Sequence, residues 1–243
     1  MPKAIFITGT DTGVGKTFFA CRLAALLRDL GYRVGVMKPA ESGCAEHDGK
    51  LLPEDAIRLK EASDSQDPLD KICPYQLREP LAPSIAAERQ GIAINVDRLM
   101  DIYDEISSSH DVTLIEGAGG LMVPLLPSYT YADFARVLRL PAIVVAANRL
   151  GMINHLLLTL EHARCKGVSV LGYVLNRLES EASLAAETNR EALSTLSAVR
   201  FAGELPYLEN FQSDSNPRLD WFAEEFDLRT IESVLYRSSA SYV

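Results

Sequence analysis

The chain of 243 residues is short of several things, and each shortage removes a class of function. It has only four histidines, none spaced as metal ligands. Its four cysteines, Cys21, Cys44, Cys73 and Cys165, show no close pairing, which reads as reduced thiols in a cytoplasmic protein. No apolar run reaches the roughly 18 residues of a membrane span, and no signal-peptide pattern precedes the first apolar segment. Positive charge is in deficit: 24 Lys and Arg face 33 Asp and Glu, for a net charge of −9. A nucleic-acid partner would need a basic footprint, so none is expected. Repeats, low-complexity blocks and linkers are missing too. What is present is a 47% apolar composition, enough to build the core of one α/β domain over residues 1–243.

Short apolar runs recur at Ala4–Thr8, Arg33–Lys38, Val112–Glu116, Ala142–Ala147, Val170–Asn176 and Arg200–Leu205. Each is nearly continuous in Val, Ile, Leu or Ala, as expected of strands covered on both faces. Helical spacing fits Thr17–Leu30, Glu54–Glu61, Val96–Ser108, Tyr131–Leu138, Asn154–Lys166 and Ala182–Leu196, with Gly31 and Gly167 at expected helix ends. Leu81-Ala-Pro83-Ser84 reads as a loop into a short helix, and the tail from Ser213 as irregular with a helix near Leu228–Tyr236. The alternation predicts a doubly wound, mostly parallel sheet with helices on both faces, like a phosphate-loop NTPase. Its ligands would sit at the carboxyl ends of the strands.

The first strand leads into Gly9-Thr-Asp-Thr-Gly13-Val14-Gly15-Lys16-Thr17 and then an amphipathic stretch that starts at Phe18. Strand, Gly-rich turn and helix in that order are the context of a phosphate site. Backbone N–H groups around Gly13 and Gly15 can wrap a phosphate chain, helped by the helix terminus. Lys16 can reach the outer phosphates and the Thr17 hydroxyl can ligate magnesium. The loop is a variant, because Thr10 stands where the usual pattern has its first glycine and Gly9 lies one residue earlier.

Other candidates are more open. Lys38 ends the second strand before Pro39, and faces either the ligand or solvent; a strand-end lysine would add little to the core. Ser42-Gly43 offers a hydroxyl to a ligand or simply makes a turn. Glu116 closes an apolar strand before Gly117-Ala118-Gly119-Gly120, where an acid on the magnesium side and room for phosphate are both expected. Asp55, two residues past Pro53, reads as the acid of a helix start, which capping and dipole effects explain by themselves. Asn176-Arg177 follows a strand and either meets a nucleotide base or is a polar strand end.

Together these pieces resemble dethiobiotin synthetase, from the N-terminus to about Glu209. The resemblance rests on the phosphate loop, Lys38-Pro39 with Ser42-Gly43, Asp55-Ala56, Glu116-Gly-Ala-Gly-Gly120, Leu150-Gly151-Met-Ile-Asn154-His155 and Gly203-Glu-Leu205-Pro206. It implies an ATP- and Mg2+-dependent enzyme that converts 7,8-diaminononanoate and carbon dioxide into dethiobiotin. Lys16 and Lys38 would be catalytic, and Thr17, Asp55 and Glu116 would hold the metal. ATP would meet Gly13 to Phe18, Asp55, Glu116 to Gly119, Asn176, Arg177, Leu205, Pro206 and Tyr207. The resemblance assigns Thr12, Ser42, Leu150, Gly151 and Asn154 to the diamine. It also implies a homodimer with shared sites, in which the segment from Leu150 comes from the neighbouring subunit.

Two other classes fit less well. A partitioning ATPase would carry a second lysine at Asp11 and a basic amphipathic tail. A GTPase would need an Asn-Lys-x-Asp reader, and neither Asn148-Arg-Leu-Gly nor Asn176-Arg-Leu-Glu supplies it.

Overall fold

The computed structural model describes residues 3–181, 183–208 and 220–236. The first half runs β1 (Ala4–Gly9), α1 (Lys16–Asp29), β2 (Val34–Met37), β3 (Ala40–Ser42), β4 (Ala45–His47), β5 (Lys50–Leu52), α2 (Glu54–Ser63), α3 (Leu69–Ile72), β6 (Tyr75–Leu77), α4 (Pro83–Arg89) and α5 (Val96–Ser109). The second runs β7 (Val112–Gly120), β8 (Pro124–Leu126), β9 (Tyr129–Thr130), α6 (Tyr131–Val137), β10 (Ala142–Ala147), α7 (Met152–Lys166), β11 (Val170–Asn176), α8 (Leu184–Leu196), β12 (Phe201–Leu205), α9 (Asp220–Glu225) and α10 (Arg229–Leu235).

Six of these strands form one parallel sheet in the order β12-β11-β10-β1-β7-β2. Period-two alternation divides its side chains between two layers. Ile5 and Ile7 of β1 join a core under α1, α2, α9 and α10, whereas Ala4 and Phe6 join one under α5 and α6. Val144 and Ala146 of β10 pack with α7 and α8. This is the doubly wound arrangement expected, and it brings the end of β1 between the ends of β10 and β7.

Several expected boundaries change. The strand through Glu116 does not stop there: β7 continues to Gly120, whose backbone lies beside Gly9 of β1. Three glycines allow that approach where bulkier residues would have ended the pairing; a Cβ on Gly120 would stand 3.1 Å from the Gly9 carbonyl oxygen. The helix after β10 starts at Met152, with Gly151 as its N-terminal boundary, so Asn154 lies within the first turn and is not the cap. α8 starts at Leu184 because the Ser183 hydroxyl accepts from the Ala186 N–H; residue 182 lies outside the described residues.

The tail carries the expected helix as α10 (Arg229–Leu235) and a second helix, α9, that was not expected. Residues 213–219 lie outside the described residues, but α9 follows directly. Its formation comes from packing rather than from local signals. Phe222 and Phe226 meet the Phe19 ring at centroid distances of 5.9 and 5.4 Å, and Trp221 stacks on Phe18 at 6.1 Å. Short pairs β3–β6, β4–β5 and β8–β9 form separate two-stranded sheets and have no counterpart among the expected strands. At two or three residues each, they are too short to show a period in sequence. Among the described residues no helix is long and apolar enough to cross a membrane.

Candidate active site

The loop between β1 and α1 is built from backbone. Gly13 and Gly15 have φ of 74° and 92°, in the left-handed region that side chains resist. Gly15 is needed for space as well, since a Cβ there would stand 2.0 Å from the Asn176 amide nitrogen. That amide donates to the Val14 carbonyl at 3.0 Å and locks the loop onto the end of β11. No side chain caps α1, so its first N–H groups and dipole face the cleft. Lys16 folds back over the loop and donates to the Asp11 carbonyl at 3.0 Å. Burial, with the Lys38 charge adding to it, brings its ammonium down to about 8.

Lys38 is a buried cation, not a surface lysine: 2% exposed, it lies just beyond β2. It donates to Glu116 Oε1 at 2.5 Å and to Asp55 Oδ2 at 2.9 Å. Burial alone would push its ammonium down, but Glu116 and Asp55 reverse this and hold it well above the ordinary lysine value. Burial would raise the Asp55 carboxyl, yet the Lys38 charge together with hydrogen bonds from Lys38 and Thr17 outweighs it and holds the carboxyl below its ordinary value. The Thr17 hydroxyl donates to the same Glu116 oxygen at 2.8 Å. Glu116 Oε2 is buried and has no hydrogen-bond partner.

These groups share one cleft of about 640 Å3, which also takes in Thr12, Ser42, Phe18, Ala118 and Gly119. Residues far apart in the chain therefore meet: Lys16 and Thr17 from α1, Lys38 from just before β3 and Ser42 from its end, Asp55 from α2 and Glu116 from β7. Val14 and Gly117 are behind the surface; the Val14 side chain is in the core, and a Cβ on Gly117 would meet the Phe6 ring at 2.8 Å.

Glu41, Arg58 and the segment Pro80–Pro83 also line the cleft, although the sequence marked none of them as site residues and Leu81–Pro83 only as a loop into a short helix. Glu41 is 6% exposed and accepts from the N–H groups of Asp55 and Ala56 at 2.9 and 3.0 Å. Burial raises its carboxyl to about 7, against the opposing Lys38 charge. No local pattern flags it, because both partners are a loop and a hairpin away.

The remaining candidates lie elsewhere. Arg177 lines a separate hollow with Asn148, Arg149, Leu178 and Ser183, and its guanidinium donates to Glu204 at 2.5 Å. The Leu205 side chain is in the core, and only its carbonyl faces this region, accepting from the Arg177 N–H at 3.0 Å. Pro206 and Tyr207 follow β12 and do not line the cleft. Leu150, 86% exposed, with Gly151 and Asn154, follows β10 on one side of β1, while Lys38 follows β2 on the other. Three strand spacings of about 4.8 Å separate those two strands.

A cluster of hard oxygen donors next to a phosphate loop suits magnesium better than a soft metal. Thr17, Asp55 and the unpartnered Glu116 oxygen provide such donors. Among the described residues no three His, Cys, Asp or Glu side chains are grouped so as to hold a metal by themselves. Magnesium would therefore need phosphate oxygens as additional ligands.

Residues 3–215 match the family model described as AAA domain. The chain is 39% identical over 222 residues to the ATP-dependent dethiobiotin synthetase of Thermodesulfovibrio yellowstonii, covering 88% of this chain and 92% of that protein. It is 42% identical over 203 residues to the enzyme of that name from Anaeromyxobacter sp. strain K, covering 80% and 89%. For the Bacillus cereus enzyme the identity is 41% over 207 residues, covering 85% and 84%. Among solved structures, the septum site-determining protein MinD of Pyrococcus horikoshii with Mg-ADP superposes with a TM-score of 0.58 at 15% identity, over 97% of this chain and 95% of that one. The Pyrococcus furiosus cell division ATPase MinD gives 0.56 at 15% identity, over 97% of both chains. At such identities the likeness concerns the fold alone.

Proposed function

The chain belongs to the ATP-dependent dethiobiotin synthetase family, and from that premise we propose that it joins carbon dioxide to 7,8-diaminononanoate with ATP, releasing dethiobiotin, ADP and phosphate. The observation that carries the proposal is one cleft in which Lys16, Thr17, Lys38, Asp55 and Glu116 converge.

The chemistry asks for what this cleft holds. One amine of the substrate takes up carbon dioxide as a carbamate, whose oxygen attacks the γ-phosphate. The second amine then closes the ureido ring on the resulting mixed anhydride and expels phosphate. Carbamate and triphosphate are both anionic, so their approach needs fixed positive charge. Lys38 supplies a charge that Glu116 and Asp55 keep protonated and immobile. Lys16 covers the phosphates from the loop side. Ser42 and Thr12 offer hydroxyls to the diamine end, and Phe18 and Ala118 border the nucleotide. Thr17, Asp55 and Glu116 would hold magnesium, which when bound neutralises phosphate charge. Asn176 and Arg177, with the backbone from Leu205 to Tyr207, would border the base.

Residues 1–243 act as one catalytic unit in this reading, in the cytoplasm, with no membrane or nucleic-acid partner. The working form is a homodimer with shared sites. Its support is the separation of Leu150, Gly151 and Asn154 from the cleft, together with the exposure of that segment. The start of α7 has no side-chain cap and could receive the substrate's distant carboxylate from a second copy. Inactive Gly151→Glu and Lys16→Ala chains should then regain activity when mixed, because one hybrid site has both residues intact. No recovery after verified subunit exchange would defeat sharing.

The reaction is tested by incubating the protein with the diamine, bicarbonate and magnesium-ATP and detecting dethiobiotin by mass. ATP consumption should rise only when diamine and carbon dioxide are both present. Fast hydrolysis without them, with no dethiobiotin, would favour a switch ATPase.

A further inference from the structure

We propose that Glu41 is a positioning residue whose carboxylate anchors the first turn of α2 beside Lys38 and so fixes where Asp55 stands in the cleft. This rests on the reading of Asp55 as a magnesium-side ligand, and adds to it a residue that itself holds neither metal nor substrate.

The geometry is a closed ring. Lys38 precedes β3, and Glu41 is the middle residue of that strand. Glu41 Oε1 accepts from the Asp55 N–H at 2.9 Å and Oε2 from the Ala56 N–H at 3.0 Å. The Asp55 side chain returns to Lys38 Nζ at 2.9 Å. Two parallel bonds to successive N–H groups fix both the position and the orientation of the helix start.

Local sequence leaves this job undone. Residue 53, at the N-cap position of α2, is proline and makes no side-chain cap. The N–H groups of the first turn would lack acceptors without a distant residue. A serine at the cap would satisfy one of them locally. Glu41 instead satisfies two from another strand, although Glu54 and Asp55 already crowd that turn with negative charge. Capping alone does not call for a third, buried carboxylate; tying α2 to the Lys38 strand does.

The test separates anchoring from plain capping. Glu41→Ala should need about tenfold more magnesium for tight nucleotide binding by calorimetry, the scale expected when a ligand loses its orienting partner. Metal-free nucleotide affinity should change little, and the thermal midpoint should fall. Adding Pro53→Ser should restore the midpoint without restoring the magnesium requirement. Glu41→Gln keeps one acceptor oxygen and similar volume, should show a smaller shift in the same direction, and keeps the test open if the alanine variant does not fold. An unchanged magnesium requirement in both variants, or one that recovers along with the midpoint, would overturn the proposal. Asp55→Ala is the control: if its magnesium requirement is normal, the ligand reading itself fails and takes the proposal with it.

Discussion

Replacing Lys38 by methionine should damage stability and rate by separate amounts that can be measured apart. The lysine is 2% exposed and Glu116 1%, with Nζ 2.5 Å from one Glu116 oxygen. Removing one partner of a buried pair costs about 3–5 kcal/mol, since the other charge is left without compensation. Asp55 adds little, as its side chain is 34% exposed and water can take over. A domain holds only about 5–15 kcal/mol in total, so Lys38→Met should be folded but much weakened in urea titrations followed by circular dichroism. Adding Glu116→Gln removes the orphaned charge and should return about half of the loss or more. The rate should not return. Losing a fixed donor to developing negative charge costs about 2–4 kcal/mol, or a hundredfold to a thousandfold in dethiobiotin formation. An unchanged urea midpoint in Lys38→Met would refute the buried-pair argument, and an unchanged rate would refute the catalytic role. From the sequence a strand-end lysine adds little to the core; its burial against Glu116 gives it a larger share in stability than that.

Gly15→Ala should lower stability by about 2–3 kcal/mol, from a left-handed backbone carrying a side chain and a displaced Asn176 amide, and a normal urea midpoint would contradict it. Thr17→Val, Asp55→Ala and Glu116→Gln should each raise the magnesium concentration for half-maximal turnover; an Asp55 variant that changed only its thermal midpoint would make that residue a helix-start acid and no more. Asp133 tests acid linkage. Partial burial would raise its carboxyl, but the Thr130 N–H and hydroxyl and the Lys166 ammonium bring it down to about 2. A depressed carboxylate stabilises above its unfolded value, near pH 4, and loses that contribution as pH falls through about 2. Wild type should therefore exceed Asp133→Ala by about 1 kcal/mol near pH 6, after solvent screening, with the gap narrowing below about pH 4; a constant gap would count against it.

Sequence alone determined the six buried strands, the helices between them and the loop from Gly9 to Thr17, because each is set by neighbours within a few residues. Ala142–Ala147 and Val170–Asn176 emerge with the expected bounds, since a strand covered on both faces must be apolar throughout. Lys38, Asp55 and Glu116 were visible as residues at element ends, and Glu116 as a magnesium-side acid, but their pairing with one another was not. Whether Lys38 faced solvent or two carboxylates depends on strand order, which places β2 next to β7 and α2 over both. Glu41 was silent, as its partners are the backbone N–H groups of a helix that begins beyond a hairpin. The α9 helix was hidden for a related reason: six residues do not sustain a helix until Phe19 gives Phe222 and Phe226 somewhere to pack. Local chemistry thus chose the elements and the phosphate loop. Only the folded chain decided which charges are desolvated together, because desolvation and pairing depend on what the rest of the chain brings within about 4 Å.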